Sequence, residues 1–353
     1  LYFYCLGENK AWGEKLMLYF VPKLVLMNRQ ALEYPMGSRL MKCLQKEGIQ
    51  IRLFDKKVPV ISRGSFTKDF FFAKQTMVVT VWRRREFQTC RPSAHYQLPL
   101  VSGCPGICEY CYLNTNLGRR PFIKVYVNLE EIFARAEQYI KERKPELTLF
   151  EGAATSDPVA VERWTGSLQK AIEYFARFEE ARFRFVTKFI DIDSLLGVEH
   201  KGHTEIRFSI NCDYVVERFE KLVPSNRERL EAARKVMEAG YPTGFLIGPI
   251  MIFDRWREEY GKLFEMLKEY MPRDTSLTFE LITHRFTPRA KTIIRQVYPR
   301  TEVPLDESKR KFKFGQFGYG KYIYMDDDMT ELKDYFSSQI TRVFPKAKIL
   351  YFV

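Results

Sequence analysis

The sequence predicts an α/β protein built on a partial (β/α)6 TIM-type barrel, with an N-terminal α/β extension and a C-terminal β-hairpin plus helix. Three observations predict it. Short β-rich apolar runs alternate with helical stretches from about Tyr96 onward, the pattern of parallel strands joined by right-handed crossovers. There are six such strands, fewer than the eight a closed barrel needs. Before and after them the pattern changes, which divides the chain into residues 1–90, 91–290 and 291–353.

In residues 1–90, an apolar run (Tyr19 to Met27), an amphipathic helix around Ser38–Gln45 and a short strand (Ile49–Phe54) form a small α/β unit. Val58 to Lys74 mixes Pro, Gly, Ser and charge and reads as a connecting loop. The barrel strands are YQLPLV (96–101), LTLFEG (147–152), FRFVTK (183–188), IRFSIN (206–211), GFLIGPI (244–250) and LTFELI (277–282). The intervening helices are 130–143, 161–178, a short turn at 192–196, 226–240 and 256–271, with Gly240 at a C-terminal stop. Chemistry in such folds sits beyond the C-terminal ends of the strands. In residues 291–353, KRKFKFGQFGYGKYIY (309–324) interleaves basic and aromatic residues between glycines as a hairpin, and a helix and the strand KILYFV close the chain.

Composition narrows the function classes. The chain has 353 residues, 46% hydrophobic and 29% charged, an ordinary soluble balance. No run approaches the roughly 18 apolar residues of a membrane span. Glu8, Lys10, Glu14 and Lys15 interrupt the N-terminal apolar stretch, which makes it a poor signal peptide. The net charge of +13 leans towards polyanionic partners. Seven cysteines, an odd count with three crowded together, argue for metal binding in a reducing compartment over a disulfide framework.

That trio is CPGICEYCYL, just after the first barrel strand, with the spacing C-x3-C-x2-C at Cys104, Cys108 and Cys111. Thiolates on one short loop can hold three irons of a [4Fe-4S] cluster. The fourth iron is then free for the amino and carboxylate groups of S-adenosylmethionine, whose reductive cleavage yields a radical. A zinc site would want four ligands, and no His or fourth Cys lies at a suitable local spacing.

In this context the motif resembles the radical S-adenosylmethionine superfamily. CRPSAHYQLPLVSGCPGICEYCYLNTNLGRRP, FEGAATSDP, RFRFVTKF, RFSINCDYV, FELITHRFTPRAK and the hairpin segment, in that order, resemble the spore photoproduct lyase family through nearly the whole chain. The resemblance implies repair of a methylene-linked thymine dimer in ultraviolet-damaged spore DNA. The adenosyl radical abstracts a hydrogen, the linking bond fragments, and a returned hydrogen completes two thymines. It implies double-stranded DNA carrying thymine photolesions as partner, an external ferredoxin- or flavodoxin-like electron donor, no membrane association, a monomer, and the cytoplasm of a spore-forming bacterium.

Ser156, Lys188, Ser209, Asn211 and Gly248 fall at strand ends, where the resemblance implies contacts to S-adenosylmethionine, Lys188 pairing with the methionine carboxylate. Tyr112 is expected near the adenine or the radical path, and Tyr110 in the same chamber. Many family members carry a cysteine, the expected hydrogen-atom donor, where this chain has Ala154. Cys90 and Cys212 are the two alternative thiols. Cys90 is favoured because Arg91 beside it could bind a DNA phosphate. The hairpin departs as well: Gln316 and Phe317 stand where members often carry an Arg-Tyr pair. Phe317 can still wedge beside an unstacked lesion, and Tyr319 partly compensates. Lys309, Arg310, Lys311, Lys313 and Lys321 are the expected phosphate contacts, and His284 and Arg285 face the site or the DNA by position. Two other readings stay open: a radical enzyme of the same scaffold acting on another substrate, and a nucleic-acid-binding iron–sulfur protein.

Overall fold

The computed structural model describes residues 19–314 and 320–353. Its central element is an open sheet of seven parallel strands in sequence order: β1 (Ala94–Gln97), β2 (Thr148–Glu151), β3 (Ala181–Thr187), β4 (Thr204–Ile210), β5 (Thr243–Ile250), β6 (Thr278–Thr283) and β7 (Lys348–Phe352). All six expected barrel strands are present. The seventh is the C-terminal strand, which follows the helix Asp326–Val343 and pairs with β6. It is thus a further crossover unit of the barrel. Beyond β1, the short strand Thr89–Cys90 forms an antiparallel edge.

Side-chain alternation sorts the strands into two chemistries. On the outer face Phe183, Phe185, Phe208 and Phe245 are fully buried. The helix Ser167–Phe175 packs there, with Phe175 stacked on Phe183 at 5.3 Å. Each such ring contributes roughly 1.5–3 kcal/mol by leaving water. On the inner face, charges take the alternate positions. Arg207 pairs with Glu151 and Glu280, and Arg184 with Glu280 at 2.5 Å and Glu205 at 3.1 Å. The expected helix over 161–178 is two helices, Val159–Thr165 and Ser167–Phe175, meeting at Gly166.

A second sheet has the order Ile51–Phe54, Leu24–Asn28, Thr76–Thr80, Ile123–Tyr126, Val101–Ser102. The stretch expected as one strand over 96–101 therefore serves both sheets. β1 lies in the barrel, and Val101–Ser102 pairs antiparallel with Ile123–Tyr126. Pro99 between them has no N–H to give to a ladder. Residues 101–126 thus tie the N-terminal unit to the barrel, and one hydrophobic core runs through both. Phe66–Lys74, expected within a loop, is a helix capped by the Ser65 side chain. Pro59 and Gly64 before it mask an apolar face that includes Phe70 and Ala73. Among the described residues no helix is long and apolar enough to cross a membrane.

Candidate active site

The three expected cluster cysteines lie where the chain crosses between the sheets. Gly103, at φ +88, opens the loop; a side chain there would overlap the Phe122 carbonyl, so only glycine fits. Its N–H donates to Thr155 O at 2.8 Å, and it bridges to Ser156, which seats the loop beside the C-terminal end of β2. Lys74 Nζ donates to the carbonyls of Cys104 and Gly106 at 2.9 and 3.0 Å. Ile107–Cys108 pairs antiparallel with Glu220–Lys221, and Asn114 Nδ2 donates to the Cys108 carbonyl at 3.0 Å.

This frame carries the three thiols close enough to act on one another electrostatically. Burial pushes the Cys104 thiol up to about 12 and Cys108 up as well. Deprotonation is therefore coupled to binding a cation. Three thiol donors on one braced loop fit a [4Fe-4S] cluster with one iron left to a small-molecule ligand. Among the described residues no group of three or more His, Cys, Asp or Glu is arranged to hold a single metal ion; ligands of separate corner irons need no such convergence.

The strand ends build the chamber wall. Asp157, just past β2, accepts from Thr187 Oγ1 at 2.7 Å and Lys188 N at 2.8 Å, which locks β2 to β3; burial raises its carboxyl to about 6. Lys188 Nζ reaches Ser209 Oγ at 3.1 Å and Glu220 at 2.8 Å. Glu220 also receives Arg229 at 2.6 Å and the Tyr110 hydroxyl. Lys188, Ser209 and Tyr110 therefore converge beside the strand that carries Cys108, and Ser156 bridges to Gly103.

Asn211, Gly248 and Cys212 do not join this group. Asn211 is fully buried; it donates to Pro249 O at 2.8 Å and accepts from Tyr260 at 2.9 Å and from Cys212 N. Its amide ties β4 to β5. Gly248 is buried where a side chain would press on Leu246 and Ile282, a packing reason for glycine. Cys212 is fully buried against Tyr260.

Cys90 is placed differently. Tyr112 donates its hydroxyl to the Ala154 carbonyl. It is 53% exposed; burial of its hydroxyl, then the charges of Cys111, Cys90 and Glu151, raise its pKa. Tyr112 thus ties the cysteine loop to Ala154. Burial, then Glu151, pushes the Cys90 thiol up to about 12 against the opposing Arg207, which keeps its S–H intact at neutral pH. Arg91 beside it is exposed.

On the hairpin (Lys311–Phe314 and Gly320–Ile323), Phe312 and Phe314 face solvent, Phe314 at 75%. The hairpin is anchored to the end of β6 by a bridge between Phe286 and Tyr322. Lys313 and Lys321 are cross-strand partners; burial, then Arg285 and Lys313, lowers the Lys321 pKa. Gln316, Phe317 and Tyr319 lie outside the described residues. Arg310, expected on a phosphate, is buried instead: it donates to His284 O at 2.8 Å and stacks 3.6 Å from the Tyr324 ring. His284 is buried with it, and burial plus Arg310 lowers its pKa to about 3, so the imidazole is neutral. Lys309 is exposed, and Lys311 is paired with Asp326 at 2.6 Å.

Several polar residues were not singled out from the sequence: Lys74, Asp157, Glu220, Arg229 and the Arg184–Arg207–Glu151–Glu280 network. The network had a signal, since charges at alternate positions of apolar strands must face a shared interior. Glu220 and Arg229 had none, one lying in a two-residue strand and the other on the helix after it.

A family model described as spore photoproduct lyase matches residues 20–353. A spore photoproduct lyase of Clostridium acetobutylicum is 48% identical over 93% of this chain and 98% of its own. One of Bacillus subtilis is 45% identical over 94% and 98%. A solved spore photoproduct lyase with a cysteine-to-alanine and a serine-to-cysteine substitution, with bound AdoMet and dinucleoside spore photoproduct, matches with a TM-score of 0.93. It is 47% identical and covers 95% of this chain and 99% of that one. A tyrosine-to-phenylalanine variant matches with a TM-score of 0.92 at 46% identity, covering 95% of this chain and 99% of that one. In the double variant the new cysteine precedes the new alanine by 64 positions, the separation of Cys90 from Ala154. The replaced tyrosine precedes that alanine position by 42, as Tyr112 precedes Ala154.

Proposed function

The chain belongs to the spore photoproduct lyase family, and from that premise we propose that it reverses the methylene-linked thymine dimer of ultraviolet-damaged DNA to two thymines. It is a radical S-adenosylmethionine carbon–carbon lyase acting in DNA repair. The observation that carries this reading is the three-thiol loop seated at the strand ends, with the Tyr112 hydroxyl donating to the Ala154 carbonyl and Cys90 on the edge strand beside β1.

Together the [4Fe-4S] cluster and S-adenosylmethionine supply the radical that removes a hydrogen from the lesion. Cys104, Cys108 and Cys111 hold the cluster. Ser156, Lys188, Ser209 and Tyr112 would hold S-adenosylmethionine, the ammonium of Lys188, held by Glu220 and Ser209, offering a charge to its carboxylate. Asn211 and Gly248 act on this wall from behind, as strand ties. Tyr110, hydrogen-bonded to Glu220, keeps Lys188 company in a fixed position. Cys90 donates the closing hydrogen atom: its S–H bond breaks, a C–H bond forms on the thymine methylene, and the unpaired electron is left on sulfur. The 64-position match to the double variant supports Cys90 in this role.

The partner is duplex DNA, gripped by Arg285, Lys313 and Lys321, with Arg91 and Lys309 on phosphates, neutral His284 beneath the grip, and Gln316, Phe317 and Tyr319 at the lesion. The electron comes from an external ferredoxin- or flavodoxin-like carrier. The protein works as a cytoplasmic monomer. Incubation of the reconstituted protein with dinucleoside spore photoproduct, S-adenosylmethionine and a reductant without oxygen yields thymidine. Cleavage of the cofactor without thymidine would instead assign another substrate.

DNA affinity falls steeply with salt, log K against log salt having a slope of about −0.9 per phosphate contact. Lys313→Ala makes that slope shallower by about 1, measured by fluorescence anisotropy across a salt series. A slope unchanged by Lys313→Ala removes the hairpin from the DNA interface.

A further inference from the structure

Lys74 ends the helix Phe66–Lys74 and is 1% exposed. Its ammonium donates to the carbonyls of Cys104 and Gly106, and the Phe70 ring lies 5.9 Å away. Among the described residues no carboxylate pairs with it. The acidic residue on its own helix, Asp69, faces the other way, held by Arg119 at 3.0 Å and by the Arg63 N–H. A cation taken out of water needs more than two carbonyl dipoles to offset its desolvation. Buried Arg184, Arg207 and Arg229 all have carboxylate partners; buried Arg310, for which the described residues supply none, lies 3.6 Å from the Tyr324 ring, far closer than Lys74 lies to Phe70.

We infer that Lys74 is the counter-charge of the iron–sulfur centre, the negative charge absent from its surroundings being brought by the loaded cysteine loop. This rests on the reading of Cys104, Cys108 and Cys111 as cluster ligands. Three thiolates around an iron–sulfur core make an anion, and one-electron reduction makes it more negative. Lys74 sits on the backbone of that loop, so its charge favours the loaded loop over the empty one and the reduced centre over the oxidised one. It touches neither cofactor nor substrate and is a positioning residue. It also gives the N-terminal unit a purpose, since that unit delivers the charge to the back of the centre, away from the substrate chamber.

The test reconstitutes wild type, Lys74→Met and Lys74→Arg with iron and sulfide without oxygen. It measures iron content, thermal midpoints of the empty and loaded forms, and a redox titration followed by electron paramagnetic resonance. Empty Lys74→Met melts no lower than empty wild type, because a buried charge is gone. Loaded Lys74→Met gains less from its cluster than wild type does. At the wild-type midpoint its ratio of reduced to oxidised centre falls on the order of tenfold, a downward shift of about 59 mV for one electron; Lys74→Arg recovers most of both losses. An unchanged midpoint potential with an unchanged gain on loading overturns the inference. So does an empty Lys74→Met destabilised as much as the loaded form, which would make Lys74 a strut of the loop. Wild type that takes up no cluster overturns the ligand assignment itself.

Discussion

Replacing Cys90 with alanine ends thymine formation while leaving the first hydrogen abstraction intact. Incubated with dinucleoside spore photoproduct, Cys90→Ala still releases 5′-deoxyadenosine, but most turnovers end in adducts of the opened dimer in place of thymidine. The cause is geometric. Cys90 lies on the edge strand beside β1, within electrostatic range of the Tyr112 hydroxyl, and burial with Glu151 keeps it protonated. A second substitution reverses the first: Cys90→Ala with Ala154→Cys regains repair, because Tyr112 also reaches the backbone of Ala154. Cys212→Ala repairs cleanly, since that thiol is fully buried against Tyr260. Chromatographic product analysis decides among these. Diversion to adducts in Cys212→Ala, with clean repair in Cys90→Ala, would reverse the assignment.

The largest stability effect belongs to Glu220. Its carboxylate is fully buried and is shared by Arg229, Lys188 and Tyr110. Glu220→Ala strands two cations and costs about 3–5 kcal/mol, read from urea unfolding of the empty protein. The same residue sets an acid limb. Burial pushes its carboxyl up, but Arg229 and Lys188 outweigh burial and hold it at about 2, below its ordinary 4.5. Its stabilisation is therefore complete above pH 4.5 and is lost as pH falls towards 2. Asp157 works with the opposite sign. Burial holds it at about 6, above its ordinary 3.8, so stability is subtracted as pH rises through that interval. Glu220→Gln removes the acid limb and leaves the Asp157 slope. An acid limb surviving in Glu220→Gln would have to come from other carboxylates.

Much of this architecture is legible in the sequence because it is local. Strand–helix alternation reports the barrel. The spacing of Cys104, Cys108 and Cys111 within eight residues reports a cluster loop whatever surrounds it. Lys188 and Ser209 close their strands, and the phase of a parallel sheet sends strand ends to one face. The helix Phe66–Lys74 is hidden by the turn-forming residues before it, and the pairing of the closing strand with β6 by its distance in sequence from that partner.

The choice between Cys90 and Cys212 is of another kind. Both are free thiols beside a strand, and a one-residue change of phase carries a side chain from the chamber to the core. Local pattern cannot resolve that. Packing separates them: the turn after β4 carries Cys212 into the core against Tyr260, whereas Cys90 stays half-buried on the antiparallel edge beside β1. Charge compensation has the same origin. Lys74, Glu220 and Arg229 acquire meaning only when distant segments close around them, because an electrostatic partner is fixed by distance in space. Strand–helix alternation and cysteine spacing are local, so the barrel and its three-thiol loop are readable from the chain itself. The buried charges around that loop, Lys74 and Glu220 among them, are set by packing between distant segments.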